Sequence, residues 1–138
     1  MDFAIGAALA VAVAIFAALV GLDRDRAFYP TVLIVVASYY GLFAVMGGGE
    51  ALAAELAAMA VFVVASVVGF RGKPWLVAAA LVAHGVFDWF HGGLIANPGV
   101  PPWWPGFCMG FDVVAGVWVA GRIYSLQRST RAPGSPRP

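Results

Sequence analysis

The sequence predicts an all-α fold: a polytopic membrane protein with a single bundle of five transmembrane helices over residues 1–126. Three observations predict it. First, 62% of the 138 residues are hydrophobic and only 11% are charged. Soluble domains are apolar for about half of their residues and charged for about a quarter. The mean hydropathy is +0.90. Second, the apolar residues gather into five runs, each near the ~20 residues a helix needs to cross the hydrocarbon. Third, every Lys and Arg falls on one side once those runs are taken as alternating spans.

The first span, residues 3–22, has no charge. The second is 30–46, slightly short, and the third is 51–70, interrupted only by Glu55. The fourth, 75–95, carries the polar string HGVFDWFH. The fifth, 107–126, contains Asp112 and Arg122. The breaks between them read DRDRAFY, GGGE, RGKP and ANPGVPPWWPG, all rich in turn-forming residues. The tail RSTRAPGSPRP is rich in Pro, Ser and Arg, and residues 127–138 are expected to form a disordered basic cytoplasmic tail. A cleaved signal peptide would begin with positive charge. Here Met1 and Asp2 precede the first apolar run and arginines follow it, so a retained first helix is expected.

With five spans, one side receives Arg24, Arg26, Arg71, Lys73, Arg122, Arg128, Arg131 and Arg137, which are all eight basic residues. The positive-inside rule then places the N-terminus outside and the C-terminus in the cytoplasm, as in a bacterial inner-membrane protein. A wrong span count would scatter these residues over both faces. The net charge of +1 says nothing about nucleic acid, but no basic patch is interleaved with aromatics as such binding would need, so no nucleic-acid partner is expected. The single cysteine, Cys108, excludes an internal disulfide framework.

Asp23 and Asp25 alternate with arginines in DRDR, and Asp2 is terminal. The other acids fall inside or at the rim of the spans. Measured from the expected helix ends at 1.5 Å per residue, His91 and Glu55 lie roughly 6 Å below the outer surface, Asp112 roughly 8 Å and Asp88 roughly 10 Å. His84 lies near the midplane. At 100° per residue, His84, Asp88 and His91 form one stripe about 60° wide on helix four. Lipid would not tolerate that stripe, so it faces the bundle interior. Glu50 follows three glycines at a helix start, where a carboxylate suits the dipole, and Glu55 is the acid expected to point inward.

Asp88-x-x-His91 has the i, i+3 spacing of a carboxylate–imidazole pair that can share a metal ion, as Glu-x-x-His does in di-iron helix bundles. One metal site is therefore expected from His91, Asp88, Asp112 and Glu55, suited to a divalent ion such as Zn, Fe or Mn. His84, with Asp88, would relay protons or serve a second ion. The motif is not repeated, as it is in a true di-iron bundle. The plain alternative is that these groups only hydrogen-bond across helices and hold the bundle together. Against it, no Lys or Arg shares their depth, so each carboxylate must be protonated, bound to a cation or paired with a histidinium. Phe87, Trp89, Phe111 and Trp104 flank the polar groups and are the expected substrate pocket. PGVPPWWPG, stiffened by proline, would be a lid or a tight connection.

HGVFDWFH followed by NPGVPPWWPGFC and an intramembrane Asp resembles small multi-pass bacterial membrane proteins of unknown function, a resemblance that implies no activity. His84-x-x-x-Asp88-Trp89-Phe90 is also similar to the His-x-x-x-Glu stretch of sterol isomerases of the emopamil-binding type. Those are five-helix proteins in which buried acid and imidazole move a proton along a steroid. The similarity covers about eight residues, falls on helix four rather than near the start, and has Asp in place of Glu.

Three functions are thus expected of such a chain. The first is a metal-dependent membrane enzyme, a hydrolase or oxidase acting on a lipid-like or isoprenoid substrate among membrane lipids. The second is a cation or proton transporter, for which a homo-oligomer is expected because five short helices enclose little. The third is a metal-free proton-shuttle isomerase.

Overall fold

The computed structural model describes residues 1–131, and among them the regular elements are all helical. They are α1 (Asp2–Val20), a short 3-10 turn (Leu22–Arg24), α2 (Phe28–Met46), α3 (Leu52–Phe70), α4 (Pro74–Leu94) and α5 (Trp104–Arg131). The helices follow the five apolar runs closely. The exception is α5, which starts earlier and ends later than the hydropathy suggests. It continues through residues 127–131, into the segment expected as a tail, and the rest of that segment lies outside the described residues. No proline occurs between Pro105 and Pro133, so nothing in the sequence stops the helix at 126.

α1, α2, α3 and α5 are long and apolar enough to cross a membrane. α4 is 21 residues long, but His84, Asp88 and His91 lower its hydropathy. The apolar residues point outward as well as inward. Leu19, Val61, Val64, Leu94 and Leu126 are each more than 60% exposed, while Glu55, Ser66, His84, Asp88, His91 and Asp112 are buried. A soluble protein arranges polarity the other way round. A lipid-facing exterior is the physical setting in which this distribution is stable.

Across the bundle the helices pack in the order α1, α5, α4, α3, α2, and α2 folds back to touch α4. Small residues allow the closest approaches, as is usual where dispersion drives helix association. A Cβ on Gly6 would collide with the Phe107 carbonyl, and one on Gly110 with the Phe3 carbonyl, so the α1 and α5 backbones touch. These two helices run parallel, since Gly106 lies near Asp2 and Gly110 near Ala7. α4 runs antiparallel to α5: Gly85 faces Met109 and Gly116 faces Ala78. A dry core of Ala10, Leu33, Val77, Leu81, Phe111, Ala115 and Val119 fills the middle of the bundle.

The connections cluster accordingly. The α2–α3 and α4–α5 connections meet at one end, where Gly47 abuts Gly99. At the other end the α1–α2 connection meets the end of α3, with Arg26 Nη2 donating to the Phe70 carbonyl at 3.4 Å, and α5, through Arg122 and Asp23 at 2.6 Å. Every described Lys and Arg lies in this second, basic end or in the part of α5 that leads out of it.

Candidate functional site

The site is built on the polar stripe of α4. His84, Asp88 and His91 follow one another at i, i+4 and i+7, and each is at most 1% exposed. The helical period alone brings them to one face. What they meet depends on the neighbours.

α5 approaches α4 closely at Gly85, where an added Cβ would lie 3.2 Å from both the Asp112 Cβ and the Met109 carbonyl oxygen. That closeness brings Asp112 Oδ2 to 2.7 Å from His84 Nδ1. Asp88 Oδ2 lies 3.3 Å from the same nitrogen. One ring nitrogen thus faces two carboxylates. Asp112 Oδ1 and both Asp88 oxygens are buried without a well-formed hydrogen bond. The Tyr40 hydroxyl of α2 faces Asp88 from the remaining side. The edge of the Phe62 ring closes on His84 at a centroid distance of 4.6 Å.

A second group lies one to two turns nearer the outer end, meaning the end away from the basic residues. Glu55 Oε1 of α3 is 2.8 Å from His91 Nε2 and accepts a hydrogen bond from Asn97 Nδ2 at 2.8 Å. Asn97 belongs to the α4–α5 connection. Its Oδ1 accepts from Gly99 N at 3.1 Å, the side-chain turn that Asn favours. Its Nδ2 also reaches the Tyr40 carbonyl at 3.3 Å. The Tyr40 ring stacks on His91 at 4.1 Å and so links the two groups.

His84, Asp88 and Asp112 form a metal-competent triad: one ligand atom from each lies within 4.8 Å of the others. The expected set of His91, Asp88, Asp112 and Glu55 is therefore divided. Asp88 and Asp112 join His84, and Glu55 joins His91. The reason is depth. α5 begins at Trp104, with Pro105 in its first turn, where proline is tolerated. Counted from there, Asp112 is about 12 Å deep, between Asp88 at about 9 Å and His84 at about 15 Å. Glu55 and His91 are both about 4.5 Å deep, measured from Leu52 and Leu94. A helix start placed at Phe107 brings Asp112 too near the surface and separates it from His84.

The four aromatics expected to line a pocket divide as well. Phe87 packs between His84, His91, Tyr40 and Phe62. Phe111 and Trp104 line an apolar cleft of about 680 Å³ between α1, α2 and α5. Trp89 points out of the bundle and is 60% exposed, because residue 89 lies about 100° round the helix from the buried Asp88. The contributions of Tyr40 and Asn97 and the permissive role of Gly85 depend on contacts between helices. Only Asn97, in the turn string ANPG, leaves a local signal.

The triad is buried, with His84, Asp88 and Asp112 each at most 1% exposed. The space bounded by Tyr40, Glu55, Phe62, His84 and Phe87 admits no water-sized sphere. His91 instead borders a shallow outer chamber of about 420 Å³, walled by Asn97, Pro101, Pro102 and Pro105. The proline-rich connection lies over the outer group as a cap.

Three carboxylates and two imidazoles are therefore held in a dry interior with no Lys or Arg among them. Even with both rings protonated, the cluster carries one uncompensated negative charge. Burying an unpaired charge costs several kcal/mol, so such a set is stable when it takes up a proton or a cation. No family model, curated protein or solved structure matches this chain.

Proposed function

We propose that this chain is a five-span protein of the bacterial inner membrane, N-terminus outside and C-terminus cytoplasmic, whose core holds a divalent cation at His84, Asp88 and Asp112. Its function is to handle that ion, or the protons that compete for the same ligands, within the membrane. The observation that carries the reading is the convergence of one imidazole nitrogen and two carboxylates at one buried point, where three of the four carboxylate oxygens lack a well-formed bond. The ligand chemistry suits Zn, Fe or Mn. The burial of the triad favours ion handling over turnover of a large substrate, because His84, Asp88 and Asp112 are each at most 1% exposed and none of them lines the apolar cleft, which reaches only as far as Cys108. The outer chamber at His91, with Tyr40 bridging inward to Asp88, is the route by which the triad exchanges with the outside. The gathering of basic residues at the opposite end supports the orientation.

A metal-dependent enzyme acting on a lipid-like or isoprenoid substrate is the second reading. The observation that favours it is the 680 Å³ cleft, which is large and apolar enough to take such a chain.

Elemental analysis of the full chain, purified in detergent, tests the site. One equivalent of a divalent metal is expected, lost in Asp112→Asn and in His84→Ala and kept in Glu55→Gln. Metal-free wild-type protein would sink the cation and leave a proton shuttle, as the likeness to sterol isomerases implies. Cation flux in liposomes, set against turnover of a lipid extract, then separates ion handling from the enzyme.

A further inference from the structure

The basic end holds a second feature with chemistry of its own. A cavity of about 500 Å³ opens there between the α1–α2 connection, the end of α3, the start of α4 and α5. Its floor is apolar, formed by the buried Val77 and Val119 with Ile123, the exposed Phe70 stands at its rim, and its lining also carries Arg24, Arg26 and Arg122 together with Asp23 and Asp25.

The mouth is unevenly paired. Arg122 Nη2 is held by Asp23 at 2.6 Å. Asp25 Oδ1 accepts the Ala27 amide at 2.9 Å, so that acid is partly occupied in shaping the turn. Arg26 spends one donor on the Phe70 carbonyl in a long bond of 3.4 Å and keeps the rest of its guanidinium. The Arg24 side chain has neither an ion pair nor a hydrogen bond among the described residues. Three arginines face two aspartates, and Arg71 and Lys73 stand nearby on the α3–α4 connection. The result is two exposed guanidiniums with free donors at the lip of an apolar throat.

We propose that this cavity seats one anionic phospholipid. Its phosphodiester lies on Arg24 and Arg26, and an acyl chain descends along Val77, Val119 and Ile123. Arginine matches a phosphate with two parallel donors. Basic pockets between membrane helices are recurrent sites for anionic headgroups. A free phosphate would leave the apolar floor unused, and a zwitterionic lipid would bring a second cation to the arginines.

The test uses the full chain purified in a neutral detergent, with phosphatidylglycerol, phosphatidylcholine and inorganic phosphate as probes. Native mass spectrometry is expected to show one retained phosphatidylglycerol per chain, and thermal unfolding a higher midpoint with that lipid alone. Arg24→Gln removes a side chain with no partner to lose, so its lipid-free midpoint stays at the wild-type value. Its affinity for phosphatidylglycerol falls about tenfold, the cost of one charge-assisted hydrogen bond. The pair Arg24→Gln with Arg26→Gln abolishes retention, while Arg128→Gln, further along α5, does not. Equal retention of phosphatidylcholine, an equal midpoint shift from inorganic phosphate, or unchanged binding in Arg24→Gln would each overturn the proposal.

Discussion

At the basic end, Arg122 and Asp23 meet at 2.6 Å with the arginine side chain 44% exposed and the aspartate 2% exposed. In the outer half of the bundle, His84 and Asp112 meet at 2.7 Å with neither side chain more than 1% exposed. The two distances are nearly equal, and the physics is not. The first pair sets a buried carboxylate against a full cation whose guanidinium still reaches water. Such a pair balances its own charge and needs no function to explain it. The second has no solvent to fall back on, and its remaining oxygens lack well-formed bonds. A separation between charges therefore says little until the solvation of each partner is known. By that measure the outer cluster is the expensive part of this protein, and it is where a function is to be sought.

Double-mutant cycles make the comparison quantitative. The largest effect is expected at His84 and Asp112. Asp112→Ala leaves the buried His84 ring without its 2.7 Å partner and destabilises the fold by about 3 kcal/mol or more. The coupling between the two residues is expected to be insensitive to salt, because no ions penetrate the site. The Arg122–Asp23 cycle should give a smaller coupling that weakens as ionic strength rises through the range where the Debye length falls below about 10 Å. Equal couplings with equal salt dependence would erase the distinction between the two ends.

A smaller effect tests the geometry behind the triad. Gly85→Val should push α5 from α4 and cost about 1–3 kcal/mol by overpacking. It should also release the metal, which Val82→Ala on the same helix would not. Metal retained in Gly85→Val, at wild-type stoichiometry, would show that the close approach is unnecessary.

The smallest effect is expected at the cap. Asn97→Ala removes the donor to Glu55 and costs about 1 kcal/mol in thermal or denaturant unfolding. Metal stoichiometry should be unchanged, since Asn97 touches Glu55 and the Tyr40 backbone but no residue of the triad. Loss of metal on that change would merge the two groups into one site.

Much of this arrangement is legible in the sequence. The polar stripe of α4 follows from the 3.6-residue period, and the inward choice of Glu55 over Glu50 agrees with the structure, where Glu55 is 1% exposed. The regrouping of ligands was less legible. It turns on Trp104 and Pro105 belonging to a helix, which a string as rich in proline as PGVPPWWPG obscures. Asp112 gains about 4.5 Å of depth from those three extra residues, enough to change its partner from His91 to His84.

The sequence by itself determined where the helices run, which face of α4 is polar and that the basic residues gather at one end. These are local properties, carried by hydropathy, period and the alternation of direction along the chain. Tertiary structure alone decided that α1 lies parallel against α5, that His84 meets Asp112 and that Glu55 meets His91. Depth along a helix is one coordinate. The lateral order of the helices and their rotation about their own axes are set by packing between segments distant in sequence, through glycines whose role appears only when another backbone lies against them.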